Sequence, residues 1–357
     1  MQRLLYLLLG ASLFAACSND LDINAEYKDV TVVYGLLDQR DTLQWVKINK
    51  AFLGNGSAID MALVADSNEY SDEAITLAEV ERLDDNGNVV QTFTLHDTVV
   101  SDRLPGAFYG PEQKLFYFKP GFAQMVGTGS GATPMYLFQD DRYRIHIRVK
   151  GKDIYSTTPI VNNFSFSGAI VDTSLQETGN RINLRNFDGT DYQNFDIKWR
   201  SSIDGKRCVA SYRFRYDEVT GSTVVPRTLE GSLGTKVNLN SQVSNDLVVS
   251  MNGASFYQSL ADVVKSNPNW QSVDRRVFRG LDFIVTAAND DFNTYLQLTE
   301  PVSGIVEDRP AYSNVTGAIG LWGSRYTKSL IGKRLGSNSL NELFEGQHTG
   351  GLNFCSA

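Results

Sequence analysis

The chain has few histidine and cysteine side chains, the common ligands of transition metals. Its 357 residues include only three histidines and three cysteines. The histidines, His96, His146 and His348, are far apart in sequence, and no two have the short spacing of zinc ligands. His146 lies among arginines in an alternating, strand-like segment, a pattern that favours a plain surface histidine. We therefore expect no metal site and no bound cofactor.

Basic charge is also scarce, because 33 Lys and Arg are outnumbered by 41 Asp and Glu, for a formal net charge of -8. A surface with this balance repels phosphate backbones, so the sequence predicts no nucleic-acid partner. The G-x-S-x-G motif of serine hydrolases does not occur. Carboxylate pairs such as Glu79/Glu81 occur, but solvated surface is their default interpretation. Together these absences predict a protein that is not an enzyme.

Long apolar runs are missing except for one short stretch at the N-terminus. Arg3 precedes the uncharged stretch Leu4 to Phe14, and Ala15 and Ala16 stand directly before Cys17. The stretch is well short of the ~20 residues that a membrane-spanning helix needs. Its order of positive charge, apolar residues and small residues is that of a secretory signal, and the cysteine at its end resembles the bacterial lipobox. The resemblance implies a lipoprotein signal peptide at residues 1–17, cleavage before Cys17 and a diacylglycerol on its sulfur.

The residues after Cys17 bear on the location of the anchored protein. Ser18 stands where an aspartate retains many enterobacterial lipoproteins at the inner membrane. Asp20 and Asp22 resemble the acidic surface-export signal of Bacteroidetes lipoproteins, and a short solvated tether is the alternative. We expect a tether at residues 18–25 and a lipid anchor in the outer membrane, with the body at the cell surface or on the periplasmic face.

Alternation of apolar and polar residues dominates the rest of the chain, which is typical of half-buried strands. It is clearest in residues 142–150, 195–200 and 208–216. Asp84 to Asn88 predicts a hairpin turn rather than a calcium loop, because the glycine and the closing glutamate of such a loop are missing. Further strands are predicted at Val30–Leu37, Leu43–Phe52, Thr76–Leu83, Val89–Leu95, Leu115–Lys119, Phe283–Ala287 and Tyr295–Leu298.

These patterns predict a mainly β fold with two β-sandwich domains of immunoglobulin or fibronectin type. The first would cover residues 26–158 and the second residues 160–335, with the boundary near Thr158-Pro159. Phe187 to Tyr216 resembles the middle strands of a fibronectin-type sandwich, with Trp199 as its core tryptophan.

Helical spacing is rare. A short helical insertion is predicted at residues 255–266, ending at Asn267-Pro268, because proline disfavours the helical conformation of the residue before it. A second short helix is predicted at Ser339 to Phe344, within a C-terminal tail of residues 336–357.

With Cys17 lipidated, Cys208 and Cys355 are the two remaining thiols. An oxidising compartment permits a possible disulfide between them. Cys208 alternates with Ala210 and Tyr212 on a predicted strand, so a buried unpaired thiol is the alternative. The sequence leaves the pairing open.

The four tryptophans could supply a stacking surface for a ligand. Trp45 and Trp199 lie in alternating strands, which favours core packing. Trp270 follows the helix-breaking Asn267-Pro268-Asn269 and has arginines nearby. We therefore predict that Trp270, Arg275 and Arg276 contact a ligand, which would be a glycan or a peptide.

Several segments together resemble one family. They are Gln44 to Gly54, Gly106 to Tyr109, Tyr143 to Tyr155 and Ser313 to Gly323. Their order along the chain is similar to that of the Bacteroidetes cell-envelope lipoprotein family catalogued as domain of unknown function 4249. The resemblance would cover most of residues 20–335. It implies an envelope lipoprotein, often encoded beside TonB-dependent outer-membrane receptors, and it carries over no catalytic residue.

The leading hypothesis is a non-catalytic, outer-membrane-anchored lipoprotein that binds a ligand or serves as an accessory component of a TonB-dependent transport system. One alternative is a surface-tethered glycan hydrolase with an unidentified carboxylate pair. Another is an adhesin-like structural subunit. The ligand, the transporter partner, the membrane leaflet and the oligomeric state stay open.

Overall fold

The computed structural model describes residues 30–51, 57–127, 132–171, 181–300 and 312–356. The predicted signal peptide, the lipidation site Cys17 and the tether at residues 18–25 lie outside the described residues. The described chain is mainly β, in the β-sandwich class, as the alternating patterns predicted. Within these ranges, no helix combines the length and the apolar character needed to cross a bilayer.

The described residues form nineteen strands. They are β1 (Val30–Asp38), β2 (Gln44–Ala51), β3 (Ile75–Leu83), β4 (Val89–Thr94), β5 (His96–Val100), β6 (Gln113–Phe118), β7 (Gln124–Val126), β8 (Thr133–Met135), β9 (Arg142–Val149), β10 (Lys152–Pro159), β11 (Phe166–Ser167), β12 (Arg181–Ile182), β13 (Asn194–Arg200), β14 (Arg207–Thr220), β15 (Thr223–Val237), β16 (Asp246–Asn252), β17 (Arg275–Ala288), β18 (Ile319–Leu335) and β19 (Phe354–Cys355).

Five short α-helices accompany the strands in the described residues. They are α1 (Ala58–Ala62), α2 (Ala65–Asn68), α3 (Gly253–Ser266), α4 (Asp290–Thr299) and α5 (Ser337–Glu345). Helix α3 covers the predicted insertion and begins where the Asn252 side chain accepts a hydrogen bond from the backbone N–H of Ser255. Helix α5 covers the second predicted helix.

The predicted strand at Tyr295–Leu298 is wrong, because these residues belong to α4. The Asn289 side chain caps this helix by accepting from the backbone N–H of Phe292. Asp290 and Asp291 in the first turn complement the positive end of the helix dipole. The start signal Asn-Asp-Asp therefore outweighs the local alternation of Tyr295 to Leu298.

One large sheet organises the molecule. It contains ten strands, of which eight lie in the order β15-β14-β17-β18-β1-β2-β6-β5. Strands β1 and β18 pair in parallel, so the first strand described and a strand near the end of the chain lie side by side at the centre. Smaller sheets have the orders β10-β9-β3-β4, β11-β13-β16 and β7-β8.

The two larger accessory sheets pack against this sheet and enclose two hydrophobic cores. In the first core, Val80 and Ile145 of the four-stranded sheet share a cluster with Val33 and Ile48 of the large sheet. In the second core, residues of the three-stranded sheet and of α3 pack against β14 and β17, with Trp199 fully buried among them. Each core therefore has the two-layer construction of a sandwich.

Both cores lie on the same face of the large sheet. Trp322 belongs to the first core and Tyr326 to the second, and the two residues stand at alternate positions of β18. Residues an even number of positions apart in a strand share a face. We call this the inner face. The large sheet thus runs across the predicted domain boundary at residues 158–160.

The predicted C-terminal tail is part of the second core. Leu343, Leu352 and Phe354 are buried there. Strand β19 pairs in parallel with β17, which attaches the end of the described chain to the large sheet. Residues 336–356 therefore belong to the folded body.

Candidate functional site

The outer face of the large sheet carries exposed aromatic side chains. In β2, Val46 and Ile48 point into the first core, whereas Trp45 and Lys47 point the opposite way because side chains alternate along a strand. Trp45 is 40 % exposed. The expectation that Trp45 packs in a core is wrong, and its position in phase with Lys47 and Asn49 was the sequence signal for exposure.

The aromatic row continues across the neighbouring strands. Trp45 pairs with Tyr117 of β6, and Tyr117 pairs with His96 of β5. The ring centroids of Trp45 and Tyr117 are 5.6 Å apart, and those of Tyr117 and His96 are 5.8 Å apart. Aromatic rings at these distances support one another and stay oriented. The register of the sheet thus places three rings in a line on one face.

Helix α4 supplies the opposite wall. It begins directly after β17 and packs on β18, which brings Phe292 and Tyr295 over the outer face. The rings of Tyr34 in β1 and Tyr295 meet edge to face, with 6.0 Å between their centroids. Tyr34 is, like Trp45, exposed to solvent.

Between the sheet and α4 lies a cavity of about 350 Å³. We call it the aromatic groove and define it by Tyr34, Trp45, Phe292 and Tyr295. An adjacent open depression of about 470 Å³ extends the surface over His96, Tyr117 and Lys119. The two concavities together form an elongated, open surface rather than an enclosed pocket.

Polar groups line the same groove, namely Asp41, Gln44, Lys47 and Arg325. Gln44 is committed to the fold, because its Nε2 donates to the carbonyl oxygens of Asp38 and Asp41. These bonds hold the turn that presents Asp41. Lys47 donates from Nζ to Oε1 of Gln113 at 3.0 Å, and burial together with the charge of Arg103 lowers the pKa of Lys47. The groove thus combines flat apolar faces with charges of both signs.

A buried carboxyl group lies beside the groove at the end of β1. Burial raises the pKa of Asp38 to about 6, and the nearby charge of Asp41 acts in the same direction. The backbone N–H of Arg40 donates to Asp38 at 3.1 Å and opposes this rise. Asp38 itself does not line the groove.

The structure corrects one of the predicted ligand contacts. The Arg276 side chain is fully buried and donates to Oε1 of Glu218 and to the carbonyl oxygens of Leu352 and Trp270. A guanidinium with these partners ties β14, β17 and the C-terminal segment together and cannot reach a ligand. The prediction of Arg276 as a binding residue is therefore wrong.

The other two predicted contacts do not converge on a cavity. Trp270 begins a short 3-10 turn, Trp270–Ser272, and its ring packs against the second core while remaining partly exposed. Arg275 is exposed at the start of β17. Among the described residues, neither side chain lines one of the cavities described here.

A neighbouring arginine belongs to a different concavity. Arg279 lines a cavity of about 320 Å³ together with Arg181, Arg334 and Leu340. Arg181 and Arg334 stand opposite each other in the pairing of β12 with β18. Arg279 is held by Asp217, with 2.7 Å between Nε and Oδ2. This cavity is cationic, in contrast to the mixed charges of the aromatic groove.

The possible disulfide is not formed. Cys208 and Cys355 are both free thiols. Cys208 stands opposite Ala287 of β17, whereas Cys355 stands opposite Val277 of the same strand. Ten residues of strand separate these positions by about 30 Å, far beyond the reach of a disulfide. Burial raises the pKa of the Cys208 thiol to about 11.

His146 is more enclosed than a plain surface histidine. Its side chain is 13 % exposed, stacks on Tyr155 and contacts carboxylate oxygens of Glu79 and Asp153 at 3.3 and 3.1 Å. Ligand atoms of Glu79, Glu81 and His146 lie within 4.8 Å of one another, close enough to hold a metal ion. Arg144 pairs with Glu81, however, and Arg148 with Asp153. The cluster is therefore an ion-pair network in which two arginines already pair with two of the carboxylates.

The fold and the site define a β-sandwich-class protein with an open aromatic groove on the outer face of its largest sheet. The chain matches no protein-family model and no curated protein.

Proposed function

We propose that this protein is a non-catalytic, membrane-anchored lipoprotein that binds carbohydrate in the aromatic groove. The observation that carries the proposal is the exposed ring of Trp45, aligned with Tyr117 and His96 and facing Tyr34 and Tyr295. Exposing large rings together is unfavourable in water, so a ligand that covers them gains apolar contact. Sugar rings have C–H faces that stack on aromatic rings and hydroxyl groups that bond to charged side chains.

The polar lining favours the same class of ligand. Asp41 and Arg325 line the groove, and both residues are exposed to solvent. The Asp41 carboxylate can accept hydrogen bonds from sugar hydroxyl groups, and the Arg325 guanidinium can donate to them. The open, elongated shape suits a segment of a longer polymer better than a small molecule that must be enclosed.

The envelope role is part of the same proposal. A lipid on Cys17 would hold the groove at the outer membrane, where polysaccharide is met, and a TonB-dependent receptor would be the partner that takes the bound material onward. The lipobox-like residues before Cys17 support this role. Intact-mass measurement of the native protein tests the anchor, because acylation adds a defined mass to residue 17.

The binding test uses residues 18–357, which lack the signal peptide and the lipidated cysteine and retain every described element. It is titrated with a panel of purified oligosaccharides and polysaccharides. Trp45→Ala should weaken binding at least tenfold, which corresponds to about 1.4 kcal/mol, because the central ring of the row is removed.

Trp270→Ala is the matched control, since Trp270 is also a partly exposed tryptophan but lies outside the groove. It should bind as the parent does. Loss of binding in Trp270→Ala with normal binding in Trp45→Ala would move the site to the position predicted from the sequence. Binding to no member of the panel would reject carbohydrate as the ligand.

One observation favours the hydrolase alternative. Asp38, whose pKa is raised to about 6, lies near Asp41. Most glycosidases use two carboxyl groups in different environments, one as the general acid and the other as the base or nucleophile. Asp38 is buried away from the groove, however, so binding is the better-supported function. Turnover of a glycan by the parent chain that disappears in Asp41→Asn would establish the hydrolase instead.

A further inference from the structure

A second exposed apolar surface lies at one end of the large sheet. It consists of Ile59, Leu63, Val64, Leu104 and Phe108, whose exposed fractions range from 48 % to 85 %. We call these five residues the apolar tip. They come from the α1–α2 segment and from the loop that joins β5 to β6. Soluble surfaces seldom gather this many large apolar side chains without a partner.

The two segments of the apolar tip form one preformed surface. The backbone N–H of Tyr109 donates to the carbonyl oxygen of Ala62 at 2.8 Å, which fastens the loop to α1. Arg103 donates to the carbonyl oxygen of Tyr109 at 3.0 Å and lies over the Phe108 ring, 5.0 Å from its centroid. Leu63, Leu104 and Phe108 line a shared concavity of about 470 Å³.

The topology places the apolar tip beside the start of β1. Val30 pairs with Ala51, so β1 begins where β2 ends, close to α1 and α2. Tyr70, which follows α2, forms a hydrogen bond of 2.9 Å with Oγ1 of Thr31. At the same end of the sheet, Val100 pairs with Gln113 across the loop that carries Leu104 and Phe108.

The length of chain before β1 limits the distance to a lipid anchor. Residues 18–29, twelve residues, separate Cys17 from Val30. Cys17 and Val30 are thirteen residue steps apart, which span at most about 45 Å when fully extended. An anchor on Cys17 therefore keeps a bilayer within this distance of the start of β1, at a high effective concentration.

We infer that the apolar tip inserts into the interface of the lipid bilayer that holds the anchor. This inference rests on the lipid anchor of the proposed function. Leu104 and Phe108 would enter the boundary between headgroups and acyl chains, and the Arg103 guanidinium would stay at headgroup level. A bilayer is favoured over a protein partner because the anchored segment joins the fold at this end of the molecule and holds a bilayer within reach of it.

The charges around the apolar tip determine which lipids it accepts. Asp60, Asp66 and Asp102 are exposed close to it in sequence. Carboxylates at a membrane surface are repelled by anionic lipids, so a zwitterionic surface is the one that fits.

Insertion would also orient the aromatic groove. Strand β1 runs from the apolar tip to the turn after Asp38, about 30 Å for nine residues. Asp41 and Trp45 lie at the far end of this strand. The end of the groove formed by Asp41 and Trp45 would consequently be held away from the bilayer by most of the length of β1, where a polymer can reach it.

Flotation with vesicles tests the inference. Residues 18–357, without lipid, are mixed with phosphatidylcholine vesicles at millimolar lipid, which imitates the tethered concentration. The parent should float with the vesicles, and Leu104→Asp combined with Phe108→Asp should lower the partition coefficient at least tenfold. Vesicles containing anionic lipid should bind the parent less well.

Ile331→Asp is the matched control, because Ile331 is 71 % exposed but belongs to β18 outside the apolar tip. This variant should float as the parent does. Urea unfolding of each variant establishes that the fold is intact. A parent that stays out of the floating fraction, or a double variant that floats equally well, would overturn the inference. So would crosslinking from position 104 in native envelopes to a protein instead of lipid.

Failure here is distinguishable from failure of the proposed function. Glycan binding in the aromatic groove is measured on the same lipid-free protein without vesicles. Acylation is measured from the intact mass of the native protein. If the lipid-free protein binds glycan but does not float, and the native protein carries the lipid, the proposed function stands and only the insertion of the apolar tip is rejected.

Discussion

The two faces of the large sheet use the same kinds of side chain in opposite ways. On the inner face, Trp322 is 0 % exposed, and its Nε1 donates to the carbonyl oxygen of Tyr143 at 2.9 Å. On the outer face, Trp45 is exposed and lies among other exposed rings. Both tryptophans belong to the same sheet, so β propensity does not separate them. What separates them is whether another layer covers the ring.

The outer face itself divides into two halves. Around β1, β2 and β6 it is aromatic and open, whereas around β14 and β17 it is polar and internally paired. Arg215 forms two hydrogen bonds with Asp282, and Thr286 bonds to Thr327. A polar half satisfied by its own partners has no evident need of a ligand. In the aromatic half the rings of Tyr34 and Trp45 stay exposed, and the contrast supports assigning the proposed ligand to it.

The largest expected effect tests the difference between the two tryptophans. Trp322→Ala should lower the free energy of unfolding by about 3–5 kcal/mol, because a buried ring and its hydrogen bond are lost. Trp45→Ala should lower it by about 1 kcal/mol or less. Urea unfolding of both variants measures the difference. Equal losses would mean that Trp45 is a core residue and that the aromatic groove is not an exposed site.

The second effect concerns two buried carboxyl groups. Glu218 is paired with Arg276 and Arg227, whereas Asp38 forms no ion pair with any residue in the described ranges. Burial raises the pKa of Asp38 to about 6, above its usual value of 3.8, so the folded state binds this proton more tightly than the unfolded state. The contribution of Asp38 is therefore most favourable at low pH and declines as pH rises through about 6.

Asp38→Asn should remove this decline. At pH 7 the variant should be more stable than the parent by up to about 3 kcal/mol, and near pH 4 the two should be almost equally stable. Unfolding free energies measured between pH 4 and 8 check this. Asp41→Asn is the control, because it removes only the repulsion acting on Asp38 and should change the slope much less. Parallel pH profiles for the parent and Asp38→Asn would contradict the assignment.

The smallest effect sharpens the contrast between the halves of the outer face. Arg215→Ala removes both hydrogen bonds from Arg215 to the buried carboxylate of Asp282. Among the described residues, the backbone N–H of Gly332, at 2.7 Å, then remains as its donor. We expect a loss of about 1–3 kcal/mol in unfolding free energy and unchanged glycan binding. Arg213→Ala, whose partner Glu230 is exposed, should cost about 0.5 kcal/mol or less. A defect in glycan binding by Arg215→Ala would show that the polar half takes part in recognition.

Much of the fold followed from patterns that are local in sequence. The alternation of residues 142–149 predicted β9, and Asp84 to Asn88 predicted the turn between β3 and β4. The apolar spacing before Asn267-Pro268 predicted α3. The strand at Tyr295–Leu298 failed because the cap at Asn289 lies outside that segment and decides its conformation.

The candidate site was less predictable. Trp45 could have been found from its phase, since it alternates with Val46 and Ile48 rather than sharing their face. Phe292 and Tyr295 could not, because their place opposite Tyr34 depends on α4 folding back over β18. Arg276 was misjudged because neighbouring arginines look alike in sequence, and only the packing shows that Arg276 is buried while Arg275 is exposed.

The sequence by itself determined the mainly β class, most of the strand positions and the helix at α3, because side-chain periodicity and capping act over a few residues. The tertiary structure alone decided that β1 pairs with β18, that both cores lie on one face, and which tryptophans are covered. Those outcomes depend on contacts between residues nearly 300 positions apart, and no local pattern specifies which strands become neighbours.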